Sequence, residues 1–227
     1  MTYLRVERAH LPFPANSSQS ATEERATMTD ARQYAPSAHR NRDLIRDQLA
    51  SHWPTSGTVL EIASGSGEHV VHLAPTAPHL TFQPTDPSAE ARASIDAWVK
   101  ASALCKIHPA LELDVTAEEW PIQQASMVLC CNMIHIAPWE ATLGLMRGAG
   151  RVLTSGGKIW LYGPFIREGV ETAEGNINFD VKLKGMDPRY GIRRLEDVAD
   201  VAAGEGIGAP EVIEMPANNY LVSFARN

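Results

Sequence analysis

With 227 residues, 44% of them apolar, the chain carries enough core-forming material for one sizeable α/β domain and leaves little for a second. Its 27 acidic against 20 basic residues give a formal charge of −7, and no dense Lys/Arg cluster with interleaved aromatics opposes it, which argues against a nucleic-acid partner. Three cysteines, two of them adjacent at Cys130 and Cys131, make no disulfide framework. The first residues lack a signal-peptide core and no run approaches the roughly 18 apolar residues of a membrane span, so a cytoplasmic protein away from membranes is expected.

Residues 1 to about 28 are rich in Ser, Ala, Thr, Glu and Arg and show no helical or strand period, which predicts a mobile tail. Met28 is a candidate natural start, and residues 29–227 are expected to form a single domain. Leu44, Ile45 and Leu49 mark one face of a helix from Ser37 to His52. A strand follows over Thr58 to Ile62, then a glycine turn and a helix over Glu68 to Ala74. A second strand covers Leu80 to Gln83, and a helix runs from Ser88 to about Lys100, with Ser88 as its cap and Glu90 in its first turn. Ala110 to Leu113 reads as a third strand that runs into Asp114.

Met127-Val128-Leu129-Cys130-Cys131 is uninterrupted and apolar, as a central parallel strand covered on both faces should be. A helix from about Trp139 to Leu153 ends at Gly156-Gly157, ahead of a strand over Lys158 to Tyr162. Gly163 to Ile192 is polar, with several glycines and two prolines, and predicts a long lid or substrate loop. Asn176, Asn178 and Asp180 within it suit either turns or a polar acceptor. A helix from Arg194 to Gly204 precedes Val212 to Met215 and Tyr220 to Phe224, two strands joined by Pro-Ala-Asn-Asn as a hairpin. Alternating strands and helices that end in a hairpin predict a doubly wound, Rossmann-like sheet of seven strands with an antiparallel C-terminal edge.

The richest stretch is Glu61-Ile62-Ala63-Ser64-Gly65-Ser66-Gly67. An apolar strand, an acidic residue and a small-residue turn lead into a helix, and glycines two apart let the backbone turn tightly and approach a ligand. Val70 stands where the dinucleotide fingerprint places its third glycine, which argues against NAD. Glu61 suits a ligand with an ammonium group. Asp86 lies 19 residues beyond Gly67 at a strand end, where a carboxylate can accept both hydroxyls of a ribose. These features point to S-adenosylmethionine. His69, His72 and Glu68 lack a third ligand at suitable spacing, so no metal is expected. Cys130 and Cys131 read as small buried hydrophobes.

Four segments carry a resemblance that covers nearly the whole domain: Ala35-Pro36-Ser37-Ala38-His39-Arg40-Asn41-Arg42-Asp43, Leu60 through His69, Asn132-Met133-Ile134-His135-Ile136-Ala137-Pro138-Trp139 and Leu161-Tyr162-Gly163-Pro164-Phe165. In them the chain resembles class I S-adenosylmethionine-dependent methyltransferases, and within these the family named for domain of unknown function 938, relatives of methyltransferase-like protein 26. Ala63 departs from the superfamily pattern, where a first glycine is common. The resemblance implies that Glu61, Ala63, Ser64, Gly65 and Gly67 hold the methionine and sugar portions, Asp86 the ribose, Asp114 the adenine amino group and Asn132 the methionine side. A capping role ahead of Thr116 also fits Asp114.

Transfer from a sulfonium needs alignment, exclusion of water and, for some acceptors, a base. His135 suits the base; ordering the turn before Pro138 suits it equally. Tyr34 and Arg40 suit closure over the cofactor, through an aromatic face for the sulfonium and a guanidinium for the carboxylate, and Tyr34 thereby joins His135 as a catalytic candidate. Phe165 and Trp139 suit either an acceptor pocket or packing. The expected activity is methyl transfer to an O, N or S nucleophile on a small molecule. The alternatives are lysis or cyclisation of the cofactor itself, and non-catalytic cofactor binding.

Overall fold

Three consecutive parallel strands form the centre of the sheet because their residues are apolar on both faces. A computed structural model describes residues 30–227, and the tail expected over residues 1 to 28, with Met28, lies outside them. β1 (Thr58–Ile62), β3 (Ala125–Cys131) and β4 (Leu153–Gly163) pair in parallel, and β2 (Thr81–Pro84) pairs with the other side of β1. The hairpin of β5 (Ile207–Met215) and β6 (Asn219–Arg226) closes the far edge antiparallel to β4, giving the order β2-β1-β3-β4-β6-β5. Its link holds Ala217 and Asn218 in the left-handed region. The strand order reverses between β1 and β3, and doubly wound sheets open a crevice at that point.

Helices cover both faces. On one, α1 (Pro36–Leu49), α2 (Glu68–Leu73) and α3 (Ala89–Ser102) supply Ile45, Leu49, Val70, Leu73 and Ile95 to a core with Phe82 and Trp160. On the other, α4 (Trp139–Val152) and α6 (Leu195–Gly204) bring Leu145, Met146, Val198 and Ala202 against Leu60, Val128 and Phe224. Burying each of the larger side chains contributes about 1.5–3 kcal/mol. Ser88 caps α3, its hydroxyl accepting the Ala91 N–H at 3.3 Å.

The sheet has six strands, not the seven expected. The segment read as a strand over Ala110 to Leu113 makes only one isolated parallel bridge, Thr85 to Leu111 beyond β2, and a second joins Phe82 to Ile107 ahead of it. Two prolines explain the interruption: neither Pro84 nor Pro109 has an N–H for the ladder, and the Gln83 side-chain amide donates instead to the Pro109 carbonyl at 2.9 Å. A second difference lies in the supposed loop of Gly163 to Ile192, which contains α5 (Glu174–Met186). Its amphipathic signature is faint because only Asn176 and Leu183 are buried, while Ile177, Phe179, Val181 and Met186 face solvent. Finally, α4 stops at Val152 and β4 begins at once, with a register shift against β3 spanning the residues around Gly156, whose φ is +74°.

α4 lies unusually close to the segment that follows Asp114. A Cβ on Gly144 would fall 2.3 Å from the Val115 carbonyl oxygen, and one on Gly148 would fall 1.9 Å from the Trp120 ring. Gly148→Ala should therefore destabilise the protein by about 1–3 kcal/mol through overpacking, despite alanine's better helix propensity. Urea unfolding would show this as a lower midpoint at unchanged slope; a stability equal to the wild type would refute the close packing.

Candidate functional site

A cavity of about 600 Å³ opens at the carboxyl ends of β1, β2 and β3, where the strand order reverses. Its lining is mainly apolar, with Ile62, Leu113, Val115, Met133, Ile136 and Pro138 among the walls, and Asp86, Asp114, Thr116, Glu140 and Arg189 as the polar side chains. Of the residues anticipated for a cofactor, Ala63, Gly65, Asp86 and Asp114 line it together.

The turn that leaves β1 is built for close backbone approach. Gly65 and Gly67 have φ of +57° and +91°, and a Cβ on Gly67 would sit 2.7 Å from the Ile95 Cα of α3. Ala63 takes φ +51° without being glycine, a strained conformation at the cavity wall. The buried Asp86 carboxylate fixes the turn by accepting the Gly65 N–H at 3.0 Å on one oxygen and the Ser88 N–H at 2.9 Å on the other. Lone pairs remain on both oxygens for a hydroxyl donor. Asp114 does cap its own turn, with Oδ1 accepting from the Thr116 N–H and hydroxyl at 2.9 and 2.7 Å, while the residue faces the cavity.

Glu61, Ser64 and Gly67 stand behind the lining. Glu61 is buried, and its Oε2 has no hydrogen-bond partner among the described residues. Burial raises its pKa to about 7, with Asp86 adding to the rise and a Ser64 hydrogen bond opposing it. Ser64 ties the turn to β2's extension, its hydroxyl accepting the Thr85 N–H at 3.2 Å and its own N–H donating to the Thr85 carbonyl at 2.9 Å. Asn132 follows β3 with φ +61°, and its Oδ1 and the His135 ring both border Gly163, where a Cβ would lie 3.2 Å and 2.6 Å from them.

Five anticipated residues are not part of the lining. His135 is buried against the edge of Phe165, with ring centroids 5.1 Å apart, and burial together with the Arg193 cation lowers its pKa to about 3. A base must gain a proton, and this environment opposes it. Tyr34 is exposed and turns its ring to Trp98 at 5.2 Å rather than to the cavity; Arg40 is exposed on α1. Phe165 and Trp139 pack, the latter beneath the Arg193 guanidinium at 5.5 Å. The histidines of α2 have local partners: His69 meets Asn41 Oδ1 at 2.8 Å and His72 meets Asp43 at 2.8 Å. Among the described residues no group of three His, Cys, Asp or Glu is arranged for a metal ion. Burial pushes the Cys130 thiol up to about 12 and Cys131 well above its ordinary value.

Sequence reasoning missed Arg189 and Arg193. Arg193 donates to the carbonyls of Ile134 and Ala137 at 2.8 and 2.6 Å and to that of Arg189 at 3.0 Å, which clamps the chain after α5 onto the loop after β3. Arg189 thereby reaches the cavity, its guanidinium held by Asp187 through bonds of 3.0 and 2.7 Å. The only signal was location, Arg189 within the expected lid and Arg193 immediately after it. Among the described residues no helix is long and apolar enough to cross a membrane.

The Glu61 carboxyl has a testable energetic signature. Its folded pKa of about 7 exceeds its ordinary 4.5, so its contribution to stability is complete below about pH 4.5 and is lost as pH rises through 7. Glu61→Gln removes this loss: relative to the wild type it should gain on the order of 3 kcal/mol between pH 4.5 and pH 8. Unfolding free energies across that range would check it, and parallel pH profiles would exclude the raised pKa.

Solved structures place the fold among methyltransferases. An O-methyltransferase family 2 protein from Planctomyces limnophilus, in complex with apigenin, matches with TM-score 0.71 at 15% identity, over 84% of this chain and 60% of that one. The mitomycin 7-O-methyltransferase MmcR matches with TM-score 0.70 at 14% identity, over 83% and 54%. CalO1, a methyltransferase in calicheamicin biosynthesis in its SAH-bound form, matches with TM-score 0.66 at 17% identity, over 81% and 54%. The chain thus has the class I methyltransferase fold and spans little more than half the length of these proteins. The family described as "Protein of unknown function (DUF938)" matches residues 32–226, nearly all that is described, and the chain belongs to that family.

Proposed function

We propose that the cavity binds S-adenosylmethionine and that the protein transfers its methyl group to an oxygen, nitrogen or sulfur nucleophile of a small molecule. One observation carries the reading: the Gly65 turn, fixed by Asp86, meets a cavity at the strand-order reversal with a buried, unpartnered Glu61 oxygen behind it. The residues fit the cofactor. Asp86 would take the ribose hydroxyls, Asp114 the adenine amino group, and Glu61 the methionine ammonium, directly or through water, with Ala63, Ser64, Gly65 and Gly67 shaping the backbone and Asn132 toward the methionine end. The SAH-bound neighbour supports this donor. Bound there, the cofactor supplies an electrophilic methyl on a sulfonium.

What the chain itself contributes is alignment and exclusion of water. Met133, Ile136 and Pro138 offer apolar surface to an acceptor, and Glu140 and Arg189 give the cavity polar edges. His135 is assigned a positioning part: its Nδ1 faces the Arg193 N–H at 3.4 Å, and its Nε2 lies beside Gly163 and Asn132. Tyr34 is assigned no catalytic part.

Calorimetric titration with S-adenosylmethionine should show micromolar binding that is about tenfold weaker at pH 6 than at pH 8, because the ammonium needs the ionised Glu61. Glu61→Gln should bind more weakly and without that pH dependence; no wild-type binding at high micromolar cofactor would end the reading. Incubation with candidate acceptors should yield S-adenosylhomocysteine only when an acceptor is present. Methylthioadenosine formed from the cofactor alone would instead identify a lyase or cyclase. With an acceptor in hand, His135→Asn should lower kcat by less than about tenfold and leave the pH–rate limb in place, whereas a general base would cost about 100-fold or more.

A further inference from the structure

The back of the cofactor turn is tied to the N-terminal segment by two buried side chains. Ser94 of α3 is fully buried and uses its hydroxyl in both senses: Oγ donates to the Ser66 carbonyl at 2.7 Å and accepts the Gln33 N–H at 2.7 Å. Glu68, 2% exposed, places one carboxylate oxygen between the Ala35 N–H at 2.6 Å and the Ser66 hydroxyl at 3.0 Å. Two backbone N–H groups of residues 31–35 therefore end, through separate intermediaries, on the same turn residue. Ser66 lies between Gly65, which lines the cavity, and Gly67, which abuts Ile95 beside Ser94.

The outer side of this strap rests on Trp98. Its indole N–H donates to the Gln33 carbonyl at 2.9 Å, Arg32 stacks over its ring at 5.0 Å, and Tyr34 meets it edge-on at 5.2 Å. Gln33 also donates to Glu90 at 2.9 Å. These are mostly polar, partly exposed contacts, the kind that opens locally at small cost. When the strap leaves, the buried Ser94 hydroxyl and Glu68 carboxylate each lose a donor, and the groups that fix Ser66 are left underemployed in a low-dielectric setting.

We propose that residues 31–35 form a strap whose docking is thermodynamically linked to cofactor binding, with Ser94 and Glu68 as positioning residues that transmit between strap and turn. The linkage rests on the reading that the turn holds S-adenosylmethionine. A ligand that orders Gly65 orders Ser66 with it, and an ordered Ser66 presents Ser94 and Glu68 to Gln33 and Ala35. By reciprocity the cofactor steadies the strap by the factor through which the strap strengthens the cofactor. Tyr34 then belongs to the device as an outer anchor.

Hydrogen exchange and calorimetry on the full chain test this together. In the wild type, saturating S-adenosylmethionine should slow exchange of the Gln33 and Ala35 amides. Trp98→Ala removes the outer anchor without touching the turn or the cavity, and should weaken cofactor binding about 5- to 20-fold while abolishing that slowing. Ser94→Ala should weaken binding similarly, and adding Trp98→Ala to it should cost little more, because both act along one route. Wild-type binding combined with an unchanged affinity in Trp98→Ala, amides indifferent to the cofactor, or additive effects of the two substitutions would overturn the linkage. A wild type that binds no cofactor would overturn it together with the functional reading, and the first titration separates the two failures.

Discussion

The contact between the Gly65-Ser66-Gly67 turn and α3 is the constraint on which the rest of the site depends. With Gly67 at φ +91° and Ile95 against its α-carbon, the backbone leaving β1 must fold back under the helix. That fold-back presents the Gly65 N–H to Asp86 at the end of β2 and the Ser66 carbonyl to Ser94 in the middle of α3. Side chains larger than hydrogen at Gly67 would push α3 away, and with it the wall that carries Ser94 and Trp98. The cavity exists because three elements converge on one turn too small to fill the space they enclose.

Three carboxylates surround this turn, and they are handled in two ways. Asp86 and Glu68 are buried but accept backbone or hydroxyl hydrogens, which compensates for their lost hydration. Glu61 has no such satisfaction at Oε2, and its raised pKa expresses the cost of ionising it there. A buried acid with spare acceptor capacity beside a cavity is a common sign of a site awaiting a cationic partner, and the ammonium group of the proposed cofactor supplies one.

The opposite wall is held by another economy of contacts. Arg193 reaches three carbonyls, stacks on Trp139 and gives His135 its neighbouring positive charge. One side chain thus joins the loop after β3 to the segment after α5, places Arg189 at the cavity and adds to the burial that disfavours a proton on the imidazole. Shape on this wall, more than acid–base chemistry, is what the structure supplies.

Much of this was legible in local sequence. Period-3.6 and uninterrupted apolar runs located most elements, and the glycine spacing with Asp86 located the turn and the strand-end carboxylate that border the cavity, because these signals act within a few residues or at a fixed offset along one βαβ unit. The failures also had local causes. Pro84 and Pro109, visible in the chain, each withhold an N–H from a pairing that only the folded sheet reveals, and α5 hid because a helix that buries just Asn176 and Leu183 carries no strong period. The surroundings of His135, Tyr34 and Ser94 are set by tertiary structure alone. Whether a histidine is a base depends on what buries it, whether a tyrosine faces a ligand depends on the nearest aromatic surface, and a serine joining Gln33 to Ser66 spans 61 residues one way and 28 the other. The sequence determined the fold and the turn through short-range pattern; burial and charge at each side chain arise from residues remote along the chain, and only the packed structure brings them together.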